Sequence, residues 1–127
     1  MAKILIIDDE ADLVNMLKMR LEAAGYDVIS AGDGQEGLGI IRKSKPDLVV
    51  LDLMLPGMDG YKVCGLLKND KRYSEIPVII FSARAQQSDM KMGEEVGADA
   101  YITKPFEPKA LLDKIEELIK RGRGKKE

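Results

Sequence analysis

Leu48-Val49-Val50-Leu51-Asp52 is the stretch that decides the fold, because four aliphatic residues in a row end directly in a carboxylate. A short apolar run of this kind predicts a β-strand that is buried on both faces. Such strands belong to parallel sheets, whose carboxyl ends meet at the edge where open α/β sheets bind their ligands. Asp52 is therefore predicted to lie at a ligand-binding edge.

Three other apolar runs end in the same way. Residues 4–7 precede Asp8 and Asp9, residues 78–81 precede Ser82, and residues 100–102 come shortly before Lys104. Parallel strands would bring these distant residues into one pocket that holds carboxylates, a hydroxyl and an ammonium group. A pocket with these groups is suited to a divalent cation and a phosphoryl group.

Helical patterns alternate with the strands five times along the chain. Asp33 and Asp59 are predicted helix caps, Asp33 together with Glu36 as a capping box, and Gly25 and Gly97 are predicted left-handed helix ends. The predicted fold is an α/β fold of the form (βα)5. It is a doubly wound, flavodoxin-like, five-stranded parallel sheet of order 2-1-3-4-5, whose switch point lies between strands one and three.

Composition excludes several classes of function. The 127 residues suit one domain, and the net charge of −2 does not favour nucleic-acid binding. One cysteine, Cys64, and no histidine exclude an internal disulfide, a Ser-His-Asp triad and a His-Glu-x-x-His zinc site. Residues 4–7 are too short for a signal peptide and no segment is long enough to span a membrane, so we expect a cytoplasmic protein. Residues 121–127 are predicted to be a basic tail or a truncated linker.

Each candidate residue also has an ordinary structural interpretation. Asp8, Asp9 and Glu10 could be acidic residues at the start of a helix, Ser82 a helix cap, and Lys104 a surface lysine. Convergence at one sheet edge favours a site instead, because crowded carboxylates repel one another unless a cation lies among them. Oxygen ligands suit Mg²⁺ better than zinc. The Lys104-Pro105 bond is a candidate for the cis form.

The chain resembles the receiver domains of bacterial two-component response regulators over nearly its whole length. The matching motifs are Ile7-Asp8-Asp9-Glu10, Leu51-Asp52-Leu53-Met54-Leu55-Pro56-Gly57-Met58-Asp59-Gly60, Phe81-Ser82-Ala83 and Tyr101-Ile102-Thr103-Lys104-Pro105-Phe106. The resemblance implies that residues 1–120 form a receiver domain that acts as a phosphorylation-controlled signalling switch.

The resemblance also implies roles for single residues. Asp52 would accept the phosphoryl group, and the domain would catalyse its own phosphorylation and dephosphorylation without being an enzyme in the usual sense. Mg²⁺ would be held by Asp9, Asp52 and the carbonyl of Met54, with Asp8 assisting through water. Ser82, Lys104 and the N–H of Ala83 would hold the phosphoryl oxygens. Ser82 and Tyr101 would form the switch.

Partners follow from the same resemblance. The donor would be a sensor histidine kinase or a histidine phosphotransfer protein. The signal would pass through the face formed by helix four, strand five and helix five to an output domain, an effector or a second copy of the chain. Two other classes share this topology: an FMN-binding electron carrier and a metal-dependent phosphatase with an aspartyl-phosphate intermediate. The Asp-Asp-Glu sequence after the first strand would repel the FMN phosphate, and the Asp-x-Asp-x-Thr motif of the phosphatases is absent.

Overall fold

Five strands and five helices alternate in the computed structural model, which describes residues 2–126 and side chains as far as residue 121. In chain order the elements are β1 (Lys3–Ile7), α1 (Ala11–Ala23), β2 (Asp27–Ala31), α2 (Gly34–Ser44), β3 (Leu48–Asp52), α3 (Gly60–Lys68), β4 (Val78–Ser82), α4 (Gln87–Glu95), β5 (Ala100–Thr103) and α5 (Pro108–Lys126). All strand pairs are parallel, and the sheet order is β2-β1-β3-β4-β5. The predicted fold is confirmed.

Burial of the strands follows their place in the sheet. Every residue of β3 and β4 is buried, as their unbroken apolar runs predict. The run before Lys104 was also predicted to be a fully buried strand. This prediction is only partly correct, because every residue of β5 is half-buried. The reason is that β5 pairs with β4 alone and forms an edge of the sheet, so one side lacks a covering strand.

Alternate residues of β1 divide the core into two layers. Ile4 and Ile6 pack with residues of α1 and α5, whereas Leu5 and Ile7 pack with residues of α2 and α3. This alternation is the two-residue period of a strand, and it shows that helices cover both faces of the sheet. The carboxyl ends of the strands are thereby left as the open edge at which polar residues can meet.

Local signals position the helix ends as predicted. The carboxylates of Asp33 and Asp59 accept hydrogen bonds from the third residue after each, at 2.8 and 2.9 Å. Gly25 and Gly97 have φ values of 98° and 92°, in the left-handed region. The capping box differs from the prediction, since the Glu36 carboxylate accepts from the N–H of Gly32, one residue earlier than the cap.

Helix α5 continues through the segment that was predicted to be a tail. Its backbone is helical as far as Lys126. The side chains of residues 122–127 lie outside the described residues, so the role of this basic segment stays a prediction. No helix in the described part of the chain is both long and apolar enough to cross a membrane.

Candidate functional site

Asp8 and Asp52 lie at the ends of the two central strands. Asp8 directly follows β1 and is 3% exposed, and Asp52 is the last residue of β3 and is 4% exposed. Carboxylates are seldom buried to this extent unless a cation or hydrogen-bond donors lie beside them. The two residues therefore mark the switch point of the sheet as a site, as the sequence predicted.

Lys104 supplies the cation at this edge. Its Nζ lies 3.3 Å from Oε1 of Glu10, 3.4 Å from Oδ2 of Asp8 and 3.8 Å from Oδ2 of Asp52. Lys104 and Asp8 are 96 positions apart along the chain. The bond between Lys104 and Pro105 is cis, as predicted. One ammonium group thus contacts three carboxylates, two of which are buried.

Three carboxylates around one ammonium group leave the site with an excess of negative charge. Burial raises the pKa of Asp8 and, together with the charge of Asp52, exceeds the lowering by the Glu10 N–H and by Lys104. Burial lowers the pKa of Lys104, but the charges of Asp8 and Asp52 outweigh it, so the net pKa is raised. Lys104 therefore stays cationic, and the carboxylates retain unbalanced negative charge.

The donor set fits a hard divalent cation. Carboxylate oxygens of Asp8, Glu10 and Asp52 lie within 4.8 Å of one another, the one such group among the described residues. Oxygen donors at this spacing are what Mg²⁺ prefers. Asp9, which the resemblance names as a direct ligand, is exposed and does not belong to this group. Its role as a ligand stays a prediction.

The remaining predicted residues lie at the ends of β3 and β4, which are neighbours in the sheet. The N–H of Met54 donates to Oδ1 of Asp52 at 3.3 Å, while the Met54 side chain extends outward and is 66% exposed. Ser82 is buried at the end of β4, and its Oγ accepts from the N–H of Arg84 at 3.2 Å. Because α4 begins only at Gln87, Ser82 does not cap that helix. Ala83 follows Ser82 and is exposed.

Tyr101 lies on β5 beside α4. Its hydroxyl donates to the carbonyl of Arg84 at 2.7 Å. A Cβ placed on Gly93 would come within 3.0 Å of the Tyr101 ring, so the absence of a side chain there lets the ring lie against the helix. This position connects β5 to the segment that follows Ser82, which is what a switch residue requires. The movement itself stays a prediction.

Two contributions to the site were missed by the sequence analysis. Glu10 is the N-cap residue of α1 but makes no side-chain cap, and its carboxylate is directed to Lys104 instead. Phe81 places its ring 4.6 Å from Nζ of Lys104, a cation–π contact. Glu10 stands in the acidic motif, so its charge was visible, but the direction of its side chain depends on a residue that the fold brings from β5.

Fold and site together define a class: a doubly wound α/β domain with an acidic pocket and one lysine at its switch point. A family model described as the response regulator receiver domain matches residues 4–116. The chain belongs to this family.

Relatives and solved structures agree with that assignment. The chain is 50% identical over 119 residues to the probable transcriptional regulator ycf27 of Porphyridium aerugineum, covering 94% of this chain and 48% of the relative. It is 43% identical over 120 residues to the alkaline phosphatase synthesis transcriptional regulatory protein PhoP of Bacillus subtilis (strain 168), covering 94% and 49%. The chain thus spans about half the length of these relatives.

A solved structure matches almost end to end. The CheY-like response regulator receiver domain protein from Methanospirillum hungatei JF-1 superposes with a TM-score of 0.92 and 31% identity, covering 98% of both chains. The similarity therefore extends to the whole arrangement of strands and helices that positions the acidic pocket.

Proposed function

We propose that this receiver domain is a phosphorylation-controlled switch of a two-component system and that Asp52 accepts the phosphoryl group. The position of Asp52 carries the proposal. Its carboxylate is almost fully buried, with the Lys104 ammonium 3.8 Å away and the buried Ser82 at the end of the next strand. This arrangement provides a nucleophile, a cation and a hydroxyl in one pocket, which phosphoryl transfer requires.

The residues of the chain take part in the proposed phosphoryl transfer in few steps. A carboxylate oxygen of Asp52 attacks phosphorus in line, the P–N bond to the donor's histidine breaks, and its electron pair stays on the imidazole. Lys104 neutralises negative charge on the phosphoryl oxygens as the transition state forms, and Ser82 and the Ala83 N–H donate to them. The product is an acyl phosphate on Asp52, and attack of water on phosphorus later resets it. The domain in this way catalyses both halves of its own cycle.

Asp8 and Asp52 are the residues that we propose to hold Mg²⁺, together with the carbonyl of Met54 and either Asp9 or Glu10 at the mouth of the pocket. The bound ion supplies positive charge that offsets the charge of the phosphoryl oxygens. The support is the crowding of buried carboxylates around one lysine. We propose Asp9 rather than Glu10 because the resemblance to receiver domains gives the role of a direct ligand to Asp9.

A histidine kinase or histidine phosphotransfer protein in the cytoplasm is the proposed donor, since the chain has no histidine of its own. The two relatives described above are named as transcriptional regulators. We therefore propose that the phosphorylated domain controls an output that regulates transcription, on the same chain or on a partner. The proposed surface for this signal is formed by α4, β5 and α5.

Acetyl phosphate provides a direct test. The protein is incubated with acetyl phosphate and Mg²⁺, and intact mass and peptide mass are measured. We expect one phosphoryl mass on Asp52, removed by hydroxylamine because a mixed anhydride is attacked by it. Asp52→Asn should prevent the addition, whereas Asp12→Asn, an exposed carboxylate in the first turn of α1, should not. A phosphoryl group on Ser82, or none at all, would overturn the proposal.

A further inference from the structure

Two tyrosine hydroxyls bind the segment of residues 84–89, which runs from the loop after β4 into the first turn of α4. Tyr101, on β5, donates to the carbonyl of Arg84 at 2.7 Å. Tyr61, in the first turn of α3, donates to the carbonyl of Asp89, in the first turn of α4, at 2.8 Å. Residues 84–89 are therefore held in place from two other elements, α3 and β5.

The segment of residues 84–89 is otherwise little buried. Residues 83–88 are all exposed, and α4 buries only Gly93. The Arg84–Asp89 ion pair is long, at 3.8 Å, and the Arg84 side chain is 55% exposed, so it contributes little. A hydrogen bond from a hydroxyl group outside the segment therefore contributes strongly to the position of the segment.

The segment connects the phosphoacceptor pocket to Tyr101. The N–H of Arg84 donates to Oγ of Ser82, and the carbonyl of the same residue accepts from Tyr101. A hydroxyl oxygen can accept one bond while donating another, so Ser82 can turn its hydrogen toward Asp52 without releasing Arg84. The orientation in which Tyr101 contacts the segment is thus compatible with Ser82 facing a phosphoryl group.

Tyr61 is also close to the hydroxyl end of Tyr101. Burial and, second to it, the neighbouring Tyr61 together raise the pKa of Tyr101 to about 12. The Tyr101 ring is limited on one side by α4, where Gly93 leaves room for it. The Tyr101 hydroxyl thus contacts the Arg84 carbonyl and has Tyr61 as a neighbour.

We infer that Tyr61 is a positioning residue for the switch, because its hydroxyl fixes the first turn of α4 and with it the contact of Tyr101 with Arg84. Nothing in the acidic motifs assigns this role to α3. The inference rests on the proposed function, since it concerns how the state of Asp52 reaches Tyr101. The switch would then involve α3 in addition to β4 and β5, which carry Ser82 and Tyr101.

Tyr61→Phe in the full chain tests the inference. The melting temperature is followed against Mg²⁺ alone, and then against beryllofluoride, a phosphoryl mimic, at saturating Mg²⁺. We expect the Mg²⁺ midpoint to stay the same, because Tyr61 contacts none of the acidic residues of the pocket. The beryllofluoride midpoint should rise about three- to tenfold, the effect of losing one hydrogen bond. Amide exchange of residues 84–92 should become faster before any mimic is added.

Tyr73→Phe is the matched control, because it removes the hydroxyl of a buried tyrosine in the turn after α3, away from residues 84–89. It should leave both midpoints unchanged. Equal shifts of both midpoints in Tyr61→Phe would indicate general destabilisation and overturn the inference. So would an unchanged beryllofluoride midpoint while the parent protein responds. A parent protein that does not respond to beryllofluoride would overturn the proposed function and the inference together.

Discussion

The backbone of Gly60 is in such close contact with Asp52 that a side chain at Gly60 has no space. A Cβ on Gly60 would lie 2.5 Å from the carbonyl oxygen of Asp52 and 2.8 Å from Cα of Leu53. The Gly60 N–H donates to the Leu53 carbonyl at 2.9 Å. The first residue of α3 therefore lies directly against the strand end that carries the proposed phosphoacceptor.

Gly60→Ala should destabilise the protein by about 1–3 kcal/mol, because the obstructing atoms are backbone and cannot move aside without shifting a strand. Urea unfolding measures the effect. Gly65→Ala is the control in the same helix, since its Cβ would meet nothing within 4 Å. It should stabilise by about 0.5–1 kcal/mol through helix propensity. Equal effects of the two substitutions would contradict the packing argument.

Lys104→Met should lower the melting temperature in magnesium-free buffer. Asp8 loses a cationic hydrogen-bond partner and Asp52 a neighbouring cation while both remain buried, and we expect a cost of about 1–3 kcal/mol. Mg²⁺ should then stabilise the variant more than it stabilises the parent. Lys109→Met is the control, because the ion pair with Asp113 is largely exposed and is worth about 0–1 kcal/mol. If Mg²⁺ raised the melting temperature of the variant no more than that of the parent, the result would contradict the view that Lys104 and Mg²⁺ compensate the same negative charges.

Mg²⁺ should raise the melting temperature of the parent, because it binds the folded acidic pocket and not the unfolded chain. Asp9→Asn should raise the Mg²⁺ midpoint more than Glu10→Gln does. The Glu10 carboxylate is shared with Lys104, whereas Asp9 is exposed and stands at the position that the resemblance to receiver domains gives to a direct ligand. A larger effect of Glu10→Gln would assign the ligand position to Glu10. No stabilisation of the parent by Mg²⁺ would refute the metal site.

Cys64 should not react with thiol reagents in the native protein. It is fully buried, its Sγ donates to the Val96 carbonyl at 3.6 Å, and burial raises its pKa to about 11. Rapid labelling of the folded protein at neutral pH would contradict this assignment.

The same raised pKa predicts the sign of a pH effect. The unfolded thiol loses its proton near its ordinary pKa of about 8.5, while the folded thiol keeps it until about pH 11. Between these two pH values the folded state binds more protons than the unfolded state. The free energy of unfolding therefore decreases as the pH rises. Urea unfolding between pH 8 and 10.5 should show a steeper decline for the parent than for Cys64→Ala. Parallel declines would mean that Cys64 does not contribute.

The convergence of Asp8, Asp52 and Lys104 could be predicted because it depends on backbone topology alone. Each follows an apolar run, and parallel strands bring such positions to one edge whatever their side-chain conformations. The direction of the Glu10 side chain could not be predicted, because it depends on a lysine that arrives from another strand. Half-burial of β5 was missed for a different reason. The predicted order 2-1-3-4-5 already put strand five at an edge of the sheet, but its apolar run was interpreted as that of a strand buried on both faces.

The contact of Tyr61 with Asp89 could not be predicted from the sequence, for a further reason. Tyr61 stands in an ordinary amphipathic helix, and its partner is a main-chain carbonyl that carries no signal in the sequence. Ser82 illustrates the opposite case. Its two interpretations, helix cap or pocket hydroxyl, were distinguishable only by where α4 begins, and element boundaries are what sequence patterns locate least well.

The 96-residue separation of Asp8 and Lys104 has a consequence for the chain during its synthesis. A ribosome delivers Asp8 and Asp52 long before Lys104, and β5 can join the sheet only after β4 has been made. An unfinished chain would therefore present the proposed acceptor carboxylate without the ammonium group that we propose neutralises the incoming phosphoryl group. Acceptance of a phosphoryl group would then begin only when the last strand of this domain is in place, so a nascent chain could not signal through the domain before β5 has been made.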